Sequence, residues 1–246
     1  MQSNENTLVS VTVITYNSAK YVIEALESAK AQTYKNIELI ISDDHSTDNT
    51  LDDCRQWLEN NKKRFIRTEL ITVPENTGVS ANCNRGIRAA QGEWVKFIAG
   101  DDTLLADCIE DNIKFVDRHQ EAHIVFSQVK VYEHLFEEKN FKMTTPAEFP
   151  ANLMHQDLSA ADQFERLLLS DRIHYTPSCF LNKQAIFKVG GYDESNRLVE
   201  DYPMWLKLTQ SGEKLCYFHK PTVGYRIHPE ANPSHSITLF RCYQKI

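Results

Sequence analysis

Apolar runs and helix-like segments alternate along the first half of the chain. The runs are rich in β-branched residues and lack polar alternation, which predicts strands buried on both faces of a sheet. They span residues 8–15, 36–42, 68–73 and 92–99. Between them, apolar side chains recur at helical spacing, as at Val22, Ala25 and Ala29. This order predicts an α/β fold with a Rossmann-like, mostly parallel central sheet and helices on both faces.

The second half of the chain has a less regular pattern. Helices are predicted at 159–170 and 200–212, and a helix that runs into a glycine turn is predicted within 184–194. Strands or extended pieces are predicted at 123–132, 178–182, 214–218 and 221–228. Residues 133–157 are polar without a clear period, and we predict a loop or lid there. Neither a repeat nor a linker divides the chain, so residues 1–246 are predicted to form a single domain.

Polar segments follow each of the first four predicted strands. They are YN at 16–17, DDHSTD at 43–48, PENTG at 74–78 and GDD at 100–102. Ligands of parallel α/β sheets bind beyond the carboxyl ends of the strands. We therefore expect the four segments to face one crevice, which is where the candidate chemistry lies.

Two of these segments contain adjacent acids, Asp43–Asp44 and Asp101–Asp102. Adjacent carboxylates repel each other, and burial strengthens the repulsion. We expect a bound cation, a helix N-terminus or solvent to compensate Asp101 and Asp102. The alternative is that these acids serve turns and caps, with Asp102 or Thr103 capping a helix predicted to begin at Thr103.

No phosphate-binding glycine motif of the P-loop or dinucleotide type is present in the sequence. Phosphates at this edge would therefore need a divalent metal, held by one or two carboxylates. A further acidic pair, Glu200–Asp201, precedes the helix predicted at 200–212. A carboxylate there could act as a general base at the edge of the crevice. Helix capping remains the alternative, because acids are favoured at helix N-termini.

Composition narrows the class of protein further. The net charge of −7 and the pI of about 5.7 exclude a broad nucleic-acid groove. The six cysteines are scattered without a CxxC pair, which indicates reduced core cysteines and not a zinc site. No apolar run is long enough for a membrane span, and the N-terminus does not resemble a signal peptide. We expect a cytoplasmic protein, and peripheral contact with the inner face of the cell membrane stays open.

Four stretches taken together resemble the family 2 glycosyltransferases, which have the GT-A fold. They are VSVTVITYN, ELIISDDHSTDNT, NTGVSANCNRGIRAAQGEWVKFIAGDD and GGYDE…EDYPMWLKL. Each motif is weak alone, but four in the right order and spacing across residues 8–228 are specific. The resemblance implies an inverting transferase that uses Mg²⁺ or Mn²⁺ and moves a sugar from a nucleotide-diphosphate sugar, most commonly a UDP-sugar. It also implies a saccharide or lipid-linked acceptor and a role in bacterial surface polysaccharide synthesis.

The resemblance assigns donor-side roles by position. Ile14 and Tyr16 would line the nucleoside site. Asp44 would accept a hydrogen bond from the base, and Asp43 would support its loop. Asp101 would lie near the ribose or the donor sugar. Residues 8–120 would then form the half that binds the nucleotide-sugar, and residues 121–246 the half that binds the acceptor.

The same comparison assigns the metal and the acceptor side. Asp102 would be the metal ligand, with His228 of YRIH near the diphosphate or metal. Asp201 would be the catalytic base, with Glu200 as its neighbour. The GGYDE segment and Trp205 would shape the acceptor side.

The sequence departs from the family pattern in four places, the first at Ile14, where relatives usually carry proline. Ala99 occupies the position of the first acid of the DxDD pattern that many relatives carry. Cys83 replaces an arginine common in the third helix, which leaves Arg85 as the nearby source of positive charge. The chain ends soon after YRIHPEANPSHS, so a C-terminal helix common in relatives is expected to be short or missing.

Two other classes of protein stay open. A nucleotidyltransferase on a related sheet would also need acids and a metal. It usually has a glycine-rich basic loop near its first strand, which is absent here. A catalytically inactive module that binds nucleotide-sugars or carbohydrates is the second alternative. Retention of Asp102 and Asp201 argues against it.

Overall fold

The computed structural model describes residues 7–197 and 199–229. Within them, the strands are β1 (Val9–Thr15), β2 (Ile37–Asp43), β3 (Thr68–Ile71), β4 (Trp94–Ala99), β5 (Thr103–Leu104), β6 (Ile124–Glu133), β7 (Phe141–Thr145), β8 (Phe180–Asn182) and β9 (Leu215–Ile227). The α-helices are α1 (Val22–Lys30), α2 (Thr50–Asn61), α3 (Val79–Ala89), α4 (Cys108–Arg118), α5 (Ala151–Met154), α6 (Ala160–Leu169), α7 (Lys183–Lys188) and α8 (Asp201–Gln210). The strands form one sheet in the order β3-β2-β1-β4-β8-β6-β9-β5, with β7 paired to β6.

The first four strands form the parallel part of the sheet. β1 pairs in parallel with β2 on one side and with β4 on the other, and β2 pairs in parallel with β3. β1 and β2 are buried almost throughout, because helices cover both faces and every side chain meets protein. The predicted α/β fold is confirmed. The chain passes from β1 to β2 and β3 on one side and then crosses to β4 on the other side of β1. Ligands of such sheets bind beyond the carboxyl ends of the strands at the point where the strand order reverses.

The rest of the sheet is mixed. β8 is antiparallel to β4 and β6, and β9 is parallel to β6 but antiparallel to β5. β9 is one strand of 13 residues, where we predicted separate pieces at 214–218 and 221–228. The register of β6 and β9 shifts next to the pairing of Gln128 with Pro221. Proline lacks an N–H and cannot continue the ladder, so the sequence reads as a break while the strand goes on.

The prediction of a loop over 133–157 was wrong in part, and its role as a lid stays a prediction. This segment contains β7 and α5, and β7 pairs antiparallel with β6 through contacts such as Val131 with Met143. β7 is a short strand whose residues are only partly buried, with Lys142 exposed. A half-buried strand of five residues carries too little hydrophobic signal to separate it from a loop.

The helix predicted from Thr103 begins later. Thr103 and Leu104 form β5, which pairs with Gly224 and Val223 of β9, and α4 begins at Cys108. Asp102 and Thr103 therefore do not cap a helix. Because no helix begins at Asp101 or Asp102, a helix N-terminus does not compensate their charges. A cation and solvent are the expected compensations that are left.

The cysteines agree with the prediction of a reduced core. In the described ranges Cys54, Cys83, Cys108, Cys179 and Cys216 are free thiols, and all but Cys216 are buried. Burial raises the pKa of Cys54 to about 12, which keeps its thiol protonated and unreactive. None of the helices described here has the length and apolar character that crossing a bilayer requires. The prediction of a short or missing C-terminal helix concerns residues outside the described ranges.

Candidate active site

Loops that follow three of the parallel strands are hydrogen-bonded to one another. The Asp44 N–H donates to the Thr15 carbonyl at 3.0 Å, and the Gly100 N–H donates to the Ile14 carbonyl at 2.9 Å. The Thr47 N–H donates to Oδ1 of Asn17 at 2.8 Å. The segments YN, DDHSTD and GDD therefore meet at one edge of the sheet, as expected from the rule for parallel sheets.

Gly100 allows the closest of these approaches. A Cβ atom at this position would lie 2.8 Å from Oγ and 2.9 Å from Cβ of Ser18. Only glycine lets the backbone of the GDD turn pack directly on the loop after β1. This contact places Asp101 beside the carboxyl end of β1.

Asp44 is buried and already holds several donors. The Thr77 N–H lies 3.0 and 3.1 Å from its two carboxylate oxygens, and the Gly78 N–H donates at 2.7 Å. Nη2 of Arg85 donates to Oδ1 at 2.9 Å. Asp44 therefore ties PENTG to the end of β2. Its predicted contact with a nucleotide base stays a prediction, and so does a nucleotide contact by Arg85, whose guanidinium is engaged with Asp44.

Asp43 is also buried, and its contacts are to neighbouring loops. It accepts from Oγ1 of Thr15 at 2.9 Å and from the Ser46 N–H at 2.9 Å. These bonds fit the predicted role of supporting the loop. Tyr16 is 52% exposed at this edge, whereas Ile14 is partly buried against the core. The ring of Tyr16 is thus open to stack on a flat ligand, and the nucleoside roles of both residues stay predictions.

Asp101 and Asp102 have different environments. Asp102 is 3% exposed, and its Oδ1 accepts from the backbone N–H of Arg226 at 2.9 Å. Burial and the charge of Asp101 raise the pKa of Asp102 well above its ordinary value, against lowering by Arg226. Oδ2 of Asp101 lies 2.9 Å from Nε2 of His228. A guanidinium and an imidazole thus face the acidic pair.

The positive charge of Arg226 partly compensates the acidic pair, and this role was not predicted from the sequence. The motif YRIH drew attention to His228, but Arg226 lies two residues earlier and its side chain is fully buried. The available signal was a charged residue within a predicted apolar strand. Pairing partners more than a hundred positions apart cannot be identified from such a pattern.

The residues present fit a hard divalent cation. Carboxylates are suitable ligands for Mn²⁺ or Mg²⁺, whereas an imidazole suits softer transition metals better than it suits Mg²⁺. Nδ1 of His228 is buried and has no hydrogen-bond partner among the described residues. The described ranges contain no group of three or more His, Cys, Asp or Glu side chains arranged to hold a metal alone. Asp102 and His228 would supply two ligands of a coordination shell, and phosphate oxygens would supply others.

Asp201 is the first residue of α8. Its Oδ1 accepts from the Tyr202 N–H at 2.7 Å, and Glu200 at the cap position makes no side-chain capping bond. The hydroxyl of Tyr202 donates to the Leu167 carbonyl at 2.6 Å, which fixes the start of α8 against the end of α6. Burial raises the pKa of Cys83 well above its ordinary value, and Glu200 and Asp201 add to this. Both acids therefore lie close to α3, while their catalytic roles stay predictions.

Trp205 does not reach the surface of the crevice. It is 1% exposed and its ring packs edge-on against Phe126, with centroids 4.9 Å apart. Trp205 can shape the acceptor side only by supporting it from within the core. The GGYDE segment is held by Asn84 of α3, whose Nδ2 donates to the Tyr192 carbonyl at 2.9 Å.

A cavity of about 390 Å³ lies between residues 145–152 and 170–175. Asp171 and Arg172 both line it. Burial raises the pKa of Asp171, and the negative charge of Asp201 adds to the rise. Asp201 does not line the cavity, but its charge acts on Asp171 in the cavity wall.

Comparison with known proteins identifies the family. The profile described as Glycosyl transferase family 2 matches residues 10–191. The chain therefore belongs to glycosyltransferase family 2. An uncharacterised glycosyltransferase of Rickettsia typhi is 27% identical over 248 residues, covering 100% of this chain and 72% of the relative. The Escherichia coli UDP-Glc:alpha-D-GlcNAc-diphosphoundecaprenol beta-1,3-glucosyltransferase WfaP is 28% identical, covering 90% of this chain and 78% of that protein.

Solved structures confirm the GT-A fold. S. aureus TarS 1-349 in complex with UDP-GlcNAc superposes with a TM-score of 0.69 at 22% identity and covers 92% of this chain. The mannosyltransferase PcManGT from Pyrobaculum calidifontis, in complex with GDP-Man and Mn²⁺, gives a TM-score of 0.65 at 16% identity and covers 95%. This chain spans 60% of the TarS chain and 64% of the PcManGT chain.

Proposed function

We propose that this protein transfers a sugar from a UDP-sugar to a hydroxyl of a saccharide or lipid-linked saccharide, with inversion and with Mg²⁺ or Mn²⁺. The observation that carries the proposal is the acidic turn at the carboxyl ends of β1 and β4. There a buried carboxylate with a raised pKa lies beside a second carboxylate and an imidazole. Such an arrangement costs free energy in the protein alone, and a cation with a diphosphate would offset that cost.

The donor would lie across the edge formed by the loops after β1, β2 and β4. Tyr16 would stack on the nucleoside from its exposed position. Asp44 would accept from the base if Arg85 or Thr77 moved away, since its oxygens are occupied in the present conformation. Asp102 and His228 would hold a divalent cation together with the diphosphate, and that cation would stabilise charge on the leaving group. Asp101 would lie near the ribose or the donor sugar.

Asp201 would act as the general base. It would take the proton from the acceptor hydroxyl, whose oxygen attacks the anomeric carbon opposite the diphosphate, and this attack inverts the configuration. The base must reach that proton, which places the acceptor next to the start of α8. Glu200 would lie beside the base. The negative charges of Glu200 and Asp201 contribute to the raised pKa of Cys83 in α3.

The acceptor would enter through the cavity between residues 145–152 and 170–175. Asp171 and Arg172 offer hydrogen-bonding groups of both signs there, suited to sugar hydroxyls. WfaP, by its name, acts on a sugar linked to diphosphoundecaprenol. By analogy the acceptor is a lipid-linked saccharide used in surface polysaccharide synthesis, which would bring the enzyme to the inner face of the membrane.

The test combines binding with turnover. UDP, GDP and dTDP are titrated calorimetrically with Mn²⁺ and with EDTA, and release of nucleotide from the corresponding sugar donors is then measured. We expect metal-dependent UDP binding and slow hydrolysis of a UDP-sugar. Asp201→Asn keeps the acceptor for the Tyr202 N–H, so it should lower kcat about 10²- to 10⁴-fold with little change in UDP affinity.

Each outcome separates the classes of protein. Tight, metal-dependent binding without any turnover of any donor would favour the inactive binding module. Equal binding of UDP with Mn²⁺ and with EDTA would remove the metal from the proposal. Unchanged turnover in Asp201→Asn would exclude that residue as the base. Asp52→Asn, on the exposed face of α2, is the matched control and should keep its activity.

A further inference from the structure

Arg226 is buried where β9 passes the Asp101–Asp102 turn. Its side chain has an exposed fraction of 0%. Nε donates to the backbone carbonyl of Asp101 at 2.8 Å, and Nη2 donates to the carboxylate of Glu24 at 2.6 Å. Nη1 donates to the carbonyl of His134. Arginine is almost never buried to this degree unless its donors are satisfied, and here they bind three separate segments of the chain.

Two aromatic rings enclose the guanidinium. Cζ of Arg226 lies 4.3 Å from the ring centroid of Tyr21 and 4.2 Å from that of Phe136. Cation–π attraction is strongest in such desolvated positions. The ring of Tyr21 also contacts the imidazole of His228, with centroids 4.7 Å apart. The cluster around Arg226 therefore extends to the residue that bonds Asp101.

The backbone of Arg226 makes a further contact with the acidic turn. Its N–H donates to Oδ1 of Asp102 at 2.9 Å. One residue thus holds the backbone of Asp101 through its side chain and the carboxylate of Asp102 through its main chain. A buried positive charge next to two carboxylates also offsets their mutual repulsion.

We propose that Arg226 is a positioning residue for the cation and diphosphate end of the donor site. It fixes the Asp101–Asp102 turn in one geometry and keeps the two carboxylates together before any cation binds. The proposal rests on the function proposed above for this site. Arg226 would not contact the substrate, because its guanidinium has no exposed surface.

The planar fork of arginine is required for this arrangement. A lysine would keep the positive charge but cannot direct donors to Asp101, Glu24 and His134 at once. Arg226→Lys therefore separates the fork from the charge. We expect it to loosen the turn while leaving the strand and its main-chain bond to Asp102 in place.

Arg64 provides a matched control. It also donates to backbone carbonyls, including those of Gln32 at 2.9 Å and Tyr34 at 2.7 Å, and it lies over the ring of Phe65. These contacts lie near the start of β2, at the opposite end of the parallel strands from the acidic turn. Arg64→Lys should cost comparable stability without affecting the donor site.

The experiment uses the full chain and two measurements. Hydrogen exchange is followed in peptides covering residues 97–106, and UDP is titrated with Mn²⁺ and with EDTA. In Arg226→Lys we expect faster exchange in this segment and a Mn²⁺-dependent affinity about 10- to 100-fold weaker, as for other residues that orient metal ligands. In Arg64→Lys we expect both to match the wild type.

The outcomes distinguish this inference from the proposed function. Wild-type affinity in Arg226→Lys would overturn the positioning role alone, and so would unchanged exchange at residues 97–106. Absence of any metal-dependent UDP binding by the wild type would overturn the proposed function and this inference with it. If Arg226→Lys does not fold, Glu24→Gln is measured instead, because it weakens the hydrogen bond between Glu24 and the Arg226 guanidinium. Its expected loss of affinity is about threefold, and an unchanged affinity would overturn the proposal.

Discussion

Two buried carboxylates lie at opposite ends of the parallel strands, and the fold provides for them differently. Glu38, near the start of β2, accepts from the Ser10 hydroxyl at 2.5 Å, the Gly92 N–H at 2.9 Å and the Arg67 guanidinium at 2.8 Å. Burial would raise the pKa of Glu38, but these hydrogen bonds outweigh it, and the pKa is lowered from its ordinary value of 4.5. This end of the sheet holds a charge that the protein satisfies by itself.

Asp102, beyond the carboxyl end of β4, shows the opposite balance. Burial and Asp101 raise its pKa well above 3.8, although Arg226 counteracts them. The same fold that supplies several donors to Glu38 leaves Asp102 beside a second acid. Under the proposed function, the Glu38 cluster serves stability, whereas the acidic turn would meet a cation that arrives with the ligand.

The largest expected effect comes from removing the charge of Asp102. Asp102→Asn keeps an acceptor for the Arg226 N–H but loses the anionic ligand, so UDP affinity in Mn²⁺ should fall at least about 100-fold. Stability should hold or rise, because a buried carboxylate beside another acid is costly when charged. Calorimetric titration and thermal unfolding measure the two. A loss of more than about 2 kcal/mol in stability would show that Asp102 is structural, like Glu38. Asp107→Asn, an exposed acid nearby, is the control.

Glu38→Gln should give the reverse result. The substitution removes the charge. The amide oxygen can still accept from Ser10, Gln91 and Gly92, but the amide NH2 then faces the donors of the Arg67 guanidinium. We expect the free energy of unfolding to fall by about 3 kcal/mol, with UDP affinity unchanged. Urea unfolding and the same titration provide the measurements. The exposed Glu59→Gln should change neither quantity. Weakened UDP binding in a stable Glu38 variant would contradict the division of roles between the two ends.

Much of the architecture could be predicted from the sequence. The four parallel strands were predicted from unbroken apolar runs, because strands covered on both faces need no polar alternation. The rule for ligand positions then placed YN, DDHSTD and GDD at one edge, where the structure has them. Prediction failed where the signal was weak or interrupted, as at β7, which is short and half-buried, and at β9, which contains Pro221.

The candidate site was only partly predictable, for a different reason. Acids at loop positions are visible in a sequence, but their partners are not. Arg226 lies 124 residues beyond Asp102 in the chain, and only the β5–β9 pairing brings the two together. The family resemblance assigned Trp205 to the acceptor side, but the structure places its side chain in the core. Long-range pairing and burial are properties of the whole fold, which local patterns do not contain.

The smallest expected effect is the change with pH in the stability that Glu38 contributes. Because the pKa of Glu38 is lowered in the folded state, its charge stabilises the fold above its ordinary pKa of 4.5. That contribution is lost as the pH falls through the folded-state pKa below 4.5. The difference in unfolding free energy between wild type and Glu38→Gln should therefore be constant from pH 5 to 7 and shrink at lower pH. The slope is at most about 1.4 kcal/mol per pH unit. Urea unfolding of both proteins across this range measures it. A difference that stays the same down to pH 3 would mean that the hydrogen-bond geometry, and not the charge, is what Glu38 contributes.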